Sequence, residues 1–384
     1  MKNKAKLFAL MLSVLMLLSL LTACGSASNT AADSSAPSAS NTSESAPASE
    51  GASAALPTVR WTVQSCDTTG TSRYIALEQL CERLKDATDG KFTIDLYSGG
   101  TLFAIDTTID SVKNGLANAA FTSGDYHAGM EPMLKIAIYR CCDNWTDDFT
   151  LDEELYQRID DLNRVAYEQM GLVYVGSALM SPGEIFMSTK EINSSDDFNG
   201  MLIRSSGLGA DLYAQLGAGI VTMPMADVYQ ATKLGTIDAF EVASWSDNYS
   251  YAYSEIVKYI IEPCPHMSAG CVQGSLIVNQ QSWNDLPDEY KTILTDLVNE
   301  SRALSFEYTI EQDEIAKDKF EKDGVVVTYL PEKDTEAIKL AGAKCLAEYW
   351  DDSELCAEYL ERYVAFMREK GFNEIADIVE AGRG

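Results

Sequence analysis

Asn199–Glu241 reads NGMLIRSSGLGADLYAQLGAGIVTMPMADVYQATKLGTIDAFE. A short apolar strand, Met201–Ile203, delivers Arg204 into the turn Ser205-Ser206-Gly207, where a helix starts. A second strand, Gly219–Thr222, ends at Met223-Pro224-Met225, and a helix carrying an early acid, Asp227, follows. A third apolar run, Ile237–Phe240, ends on Glu241. Short strands alternating with helices are the pattern of βαβ units and mainly parallel sheet. A fixed cation at a strand end, beside helix N-termini whose first N–H groups lack helical partners, suits a carboxylate ligand.

The same alternation extends outward in both directions. Thr58–Gln64, Phe92–Tyr97, Ala119–Phe121 and Leu172–Val175 read as strands, and Tyr74–Lys85, Ile105–Asn114 and Glu153–Met170 as helices. After Asn284-Asp285-Leu286-Pro287, helical periodicity runs from Asp288 to about Phe320. A helix of that length, roughly 50 Å, has to cross more than one domain. Lys333 to Gly371 is helical again.

The chain has 384 residues and a formal net charge of −29, which argues against nucleic acid as a partner because phosphate binding needs clustered Lys and Arg. It begins with Lys2, Lys4 and Lys6, an apolar run from Leu7 to Leu21, and then Thr22-Ala23-Cys24-Gly25. That order is a secretory signal peptide, residues 1–23. Leu-Thr-Ala-Cys resembles the bacterial lipobox, which makes Cys24 the lipidated first residue of a mature chain held on the outer face of the cytoplasmic membrane. Residues 24–56 are almost wholly small and polar and cannot bury enough apolar surface to offset ordering entropy. They read as a flexible tether that spans about 30 Å as a random coil.

Eight cysteines remain beyond Cys24, and an exported chain permits disulfides among them. On one continuous helix Cys345 and Cys356 would lie about 16 Å apart, so they can pair only if the helix breaks near Trp350–Ser353. Free buried thiols are the equal alternative.

Asp197-Phe198-Asn199-Gly200-Met201-Leu202-Ile203-Arg204-Ser205-Ser206-Gly207 resembles a signature of the DctP-type solute receptors of TRAP transporters. Met223-Pro224-Met225-Ala226-Asp227-Val228-Tyr229 and Leu234-Gly235-Thr236-Ile237-Asp238-Ala239-Phe240-Glu241 are similar to two further stretches of that family, in the same order. Tyr253–Ile260 and Asn279–Leu286, with Trp283, continue in register. The resemblance implies a two-lobed α/β periplasmic-binding-protein-like fold with mainly parallel sheets and a long helix spanning both lobes. Lobe I would comprise 57–178 with about 265–312, and lobe II 179–264 with about 313–384. It further implies a monomeric receptor, not an enzyme and without a resident cofactor, that captures a small organic acid and presents it to a small and a large membrane subunit.

Under that resemblance Arg204 is the carboxylate-binding arginine, a role in which a guanidinium offers two parallel bonds that lysine cannot. Glu241 stands at the family's acidic strand end, where it would bind a ligand hydroxyl, orient Arg204, help hold a bridging cation, or serve structure alone. Gly207, Met225, Phe240, Trp245 and Tyr249 supply the turn and the apolar wall, with Trp245 the favoured contact. From the other lobe come Ser123 and Asp125, with Cys66 and Asp67. The chain departs from the pattern in two places. A second arginine about twenty residues upstream in many relatives falls here on Glu184, and an asparagine after the acid falls on Val242. A Glu184 facing the cleft would favour a ligand with an amine, or a carboxylate held through Ca²⁺ or Na⁺ with Glu184 and Glu241 as oxygen ligands.

Other classes remain to be weighed. Cys264, His266, Cys271 and His127 are metal-ligand types, but their spacing matches no common zinc pattern. Ser123, Asp125 and His127 have the residue types of a hydrolase triad without a nucleophile elbow. A surface-anchored hydrolase, or the receptor of an ATP-driven importer or a sensor complex, are the competing readings.

Overall fold

The computed structural model describes residues 56–138, 140–142, 149–223, 225–265 and 270–384. The expected lipidation at Cys24, the signal peptide and nearly all of the tether lie outside them, as does His266. Eleven strands are described: β1 (Val59–Ser65), β2 (Phe92–Tyr97), β3 (Ala119–Thr122), β4 (Val173–Ser181), β5 (Phe186–Ser188), β6 (Leu202–Arg204), β7 (Gly219–Val221), β8 (Ala239–Glu241), β9 (Tyr259–Glu262), β10 (Gly270–Val278) and β11 (Val326–Tyr329).

They form two sheets, one of order β2-β1-β3-β10-β4 and one of order β11-β9-β5-β8-β6-β7. Each sheet is parallel except for one reversed strand: β10 runs antiparallel to β3 and β4, and β5 runs antiparallel to β8 and β9. The reversed strands sit where the chain passes between the sheets. The chain leaves the first sheet at β4 and enters the second at β5, then returns from β9 into β10.

The helix Asp288–Lys322 is 35 residues long, about 52 Å at the α-helical rise. It packs on the Ser72–Ala87 helix towards one end, on β4 at its middle, and on the Trp245–Ser250 helix and β11 towards the other end. Its buried stripe begins apolar, with Tyr290, Leu294, Leu297 and Val298, and turns polar through Ser301, Arg302, Ser305 and Thr309. The polar stretch grips β4. Ser305 Oγ accepts from Met180 N–H and is within bonding distance of Met180 O, both at 3.0 Å. Arg302 donates to both carboxylate oxygens of Glu153 at 2.9 Å and to Ser177 O at 3.1 Å.

One core lies on the first sheet (Trp61, Leu77, Phe121, Leu276, Tyr290) and another on the second (Met187, Val228, Phe240, Ile260, Phe320). A third gathers the C-terminal helices around Tyr167, Phe186, Tyr213, Tyr359 and Tyr363. The stretch expected to be helical over Lys333–Gly371 is two helices, Glu332–Ala347 and Glu354–Glu369, the second capped by Ser353 Oγ accepting from Cys356 N–H. The first packs on the Gly207–Gln215 helix and the second on the Phe149–Gln169 helix, so these C-terminal helices touch elements from both halves of the chain. The chain does break between them, yet Cys345 and Cys356 remain free thiols, as do Cys66 and Cys81. Among the described residues no helix is long and apolar enough to cross a membrane.

Candidate functional site: a cleft at the strand ends

The carboxyl ends of β1 and β3 in the first sheet, and of β7 and β8 in the second, open onto one cavity of about 70 Å³. Cys66 and Asp67 follow β1, Ser123, Asp125 and Tyr126 follow β3, and Thr71 and Arg73 lie at the start of the Ser72–Ala87 helix. From the opposite side come Met225, Val242, Ala243, Asp247 and Tyr251, while Glu184 stands on the β4–β5 crossing. Open α/β sheets place ligands at this edge because helix N-termini and loop side chains meet there.

The two walls also touch directly. Ser72 N–H donates to Asp247 Oδ1 at 2.6 Å, and the hydroxyls of Ser72 and Ser246 are 2.9 Å apart. Asp247 thus supplies an acceptor to the N-terminus of a helix that belongs to the other sheet. Ser246 N–H in turn donates to Asp313 Oδ1 on the long helix at 2.7 Å. Burial pushes the Asp247 carboxyl up to about 6, against the opposing pull of the Ser72 N–H and Arg73.

Arg204 ends β6, which lies beside β8, so its guanidinium reaches across to the neighbouring strand end. Nη1 donates to Glu241 O at 3.0 Å and Nε to Met223 O at 3.4 Å. Glu241 is buried, and its Oε1 accepts from Ser205 Oγ at 2.6 Å. It therefore fixes the turn that carries Arg204, and it lies outside the wall of the cavity. Gly207 opens the next helix at φ +61, a left-handed conformation that glycine adopts without a Cβ clash.

The remaining expected residues divide. Met225, Ser123, Asp125 and Glu184 line the cleft. Phe240 is fully buried against Tyr253, with ring centroids 4.8 Å apart, and serves the core. Trp245 lies edge-on to Phe320 and borders a separate cavity of about 520 Å³ between the strand crossings and the long helix, together with Glu184, Asp313 and Lys317. Tyr249 packs on Phe320 as well. Tyr251, two residues on, takes the place in the cleft expected of these aromatics.

Arg73, Asp247 and Tyr251 were not legible as site residues. Arg73 Nε lies 2.7 Å from Asp67 Oδ1, so the first wall carries its own ion pair. The available signal was Thr68-Thr69-Gly70-Thr71-Ser72, a turn and cap sequence placing Arg73 in the first turn of a helix.

The triad reading finds no geometry. Among the described residues no group of three His, Cys, Asp or Glu could hold an ion. Glu184 stands on the cavity wall and Glu241 behind it. His127 is buried with Nε2 2.9 Å from Thr122 Oγ1, and burial lowers its pKa to about 4. It is a core histidine and not a base poised on Ser123. The Cys271 side chain lies outside the described ones.

Residues 65–352 match the model of DctP, bacterial extracellular solute-binding protein, family 7. The chain belongs to this family. The resemblance carried by Asp197–Gly207 and the two later stretches is thereby established over three-quarters of the sequence. A monocarboxylate 2-oxoacid-binding periplasmic protein of Nostoc sp. is 25% identical over 264 residues, which span 62% of this chain and 65% of that protein. A TRAP transporter solute-binding protein of Bordetella bronchiseptica, solved with calcium and picolinate, superposes with a TM-score of 0.71 at 22% identity, covering 84% of this chain and 95% of the other. One from Rhodoferax ferrireducens with bound malonate gives 0.70 at 17% identity, covering 80% and 98%. This DctP-family chain therefore has the two-lobed receptor fold, and its cleft lies between its two sheets.

Proposed function

We propose that the chain is an extracytoplasmic receptor that closes two lobes, 57–178 with about 265–312 and 179–264 with about 313–384, over a small organic acid. It hands the acid to the small and large membrane subunits of a TRAP transporter, acting as a monomer tethered through lipid on Cys24. The observation that carries this reading is a cavity bounded by strand ends of both sheets. Such a cavity exists only when the walls are together, so a ligand that touches both walls favours closure.

Picolinate and malonate in the two structural relatives, and the 2-oxoacid in the name of the Nostoc relative, support a small carboxylate as the class. Arg204 is the proposed carboxylate anchor. It stands behind the lining of the cavity of about 70 Å³, and its Nε and Nη1 are held by main-chain carbonyls, which fix the plane of the guanidinium. Glu241 acts through that anchor by holding Ser205.

The test is a thermal-shift screen of the purified protein against monocarboxylates, dicarboxylates, aromatic acids and amino acids, since a bound ligand raises the midpoint by mass action. For a hit, Arg204→Lys should weaken binding by at least about tenfold, the worth of one charge-assisted hydrogen bond, with the ligand-free midpoint nearly unchanged. Undiminished affinity in that variant would remove Arg204 from the site.

A further inference from the structure

The Trp245–Ser250 helix of one wall meets the start of the Ser72–Ala87 helix of the other at two points. Asp247 Oδ1 accepts from Ser72 N–H at 2.6 Å, and the Ser246 hydroxyl lies 2.9 Å from that of Ser72. Asp247 is 2% exposed although it borders the cavity of about 70 Å³, so part of its burial is supplied by the opposite wall. When the walls part, this carboxyl loses one hydrogen bond and regains water.

Charged and titratable groups surround it on every side. Asp67 and Arg73 face it from the opposite wall, Asp313 and Tyr308 from the long helix, and Tyr251 from its own wall. Cys66, Asp125, Tyr126 and Glu184 complete such groups around the cavity, among the described residues. Desolvation disfavours an ionised carboxylate, whereas a donated N–H and a nearby guanidinium favour it. Here burial prevails over the Ser72 N–H and Arg73, and the nearby Asp67 and Asp313 add to it, so the closed arrangement holds the carboxyl at about 6. A solvated aspartate titrates near 3.9. Asp313 Oδ1 accepts from Ser246 N–H at 2.7 Å, so this neighbour belongs to the same wall in both arrangements.

We propose that closure of the cleft takes up a proton at Asp247, so that the receptor closes and binds more tightly in mildly acidic surroundings than at neutral pH. The inference rests on the receptor reading above and adds its regulation. The closed form holds the proton more tightly than the open one, and by linkage the proton then favours the closed form. With the two values above, affinity should be about tenfold higher at pH 5 than at pH 8, and about 0.8 proton should be taken up per closure at pH 5 and almost none at pH 8.

Two measurements on the purified protein test this. Calorimetric titration with pyruvate, which stays an anion from pH 5 to pH 8, should show the tenfold change in affinity. The heat should depend on the ionisation enthalpy of the buffer at pH 5 and not at pH 8. Small-angle X-ray scattering across a pyruvate titration should show compaction at a lower pyruvate concentration at pH 5 than at pH 8. Asp247→Asn keeps an acceptor for Ser72 and cannot ionise, so it should lose both dependences. The buffer comparison uses the parent alone and decides the matter even if the variant does not fold. Binding and compaction that are the same at both pH values overturn the proton coupling and leave the receptor reading standing. A pH dependence that persists in Asp247→Asn overturns the assignment to Asp247. A chain that neither pyruvate nor any acid of the thermal-shift screen compacts at either pH loses the receptor reading as well.

Discussion

Asp247 shows how one side chain serves closure and charge together. It caps a helix of the opposite wall through Ser72, and the desolvation that accompanies this contact lifts its pKa to about 6. An unfolded aspartate titrates near 3.9, so the fold favours the protonated form. The resulting stabilisation is complete below about pH 4 and is lost as pH rises through 6, a change of roughly 2 to 3 kcal/mol. Asparagine keeps an acceptor for Ser72 and has no proton to lose. The melting midpoint of Asp247→Asn should therefore rise relative to the parent between pH 4 and pH 7. A difference that stays flat across that range, measured by circular dichroism, would contradict the assignment. Arg204 illustrates the converse, a charge placed by main-chain carbonyls and not by an opposing acid.

Helices and strands carry the second scale, and the C-terminal helices show how tightly they fit. Gly342, in the Glu332–Ala347 helix, meets the backbone of Cys141 so closely that a Cβ built there would lie 1.6 Å from Cys141 O. Cys141 itself takes φ +57, uncommon for a residue with a side chain. Gly342→Ala should therefore destabilise the protein by at least about 1 to 3 kcal/mol, the usual cost of overpacking. Urea unfolding monitored by tryptophan fluorescence would measure it, and an unchanged midpoint would mean that the helix can move away at no cost. The long helix is organised differently. Its central Arg302 and Ser305 bind β4 through paired hydrogen bonds, which fixes the strand at the residues leading to the crossing.

For the whole molecule, the contacts between the two cleft walls determine how readily it closes. The Ser72–Ser246 hydroxyl contact joins helices of the two halves without lining the cavity. Its removal in Ser246→Ala costs about 0.5 to 1.5 kcal/mol of closed-state stability. Affinity for a ligand identified by the screen should fall about two- to tenfold. In small-angle X-ray scattering, ligand should reduce the radius of gyration of the parent, and the variant should need more ligand to reach the same value. Unaltered affinity in Ser246→Ala would show that closure does not depend on this contact. The largest core packs C-terminal helices on elements from both halves of the chain.

Sequence alone determined the alternation of strands and helices, the long helix after Pro287, the family motifs from Asp197 to Glu241, and the strand ends that carry Arg204 and Glu241. These are local properties: periodicity within an element, and a turn a few residues long. Glu184 was visible as a departure within such a motif. Tertiary structure decided which distant residues share the cleft. Arg73 and Asp247 are separated by 174 positions and have no signature in common, yet they border the same cavity. It also sent Phe240 and Trp245 away from that cavity, because an apolar side chain at a strand or helix end packs equally well on a ligand or on a core. The choice depends on which neighbours the rest of the fold brings to it.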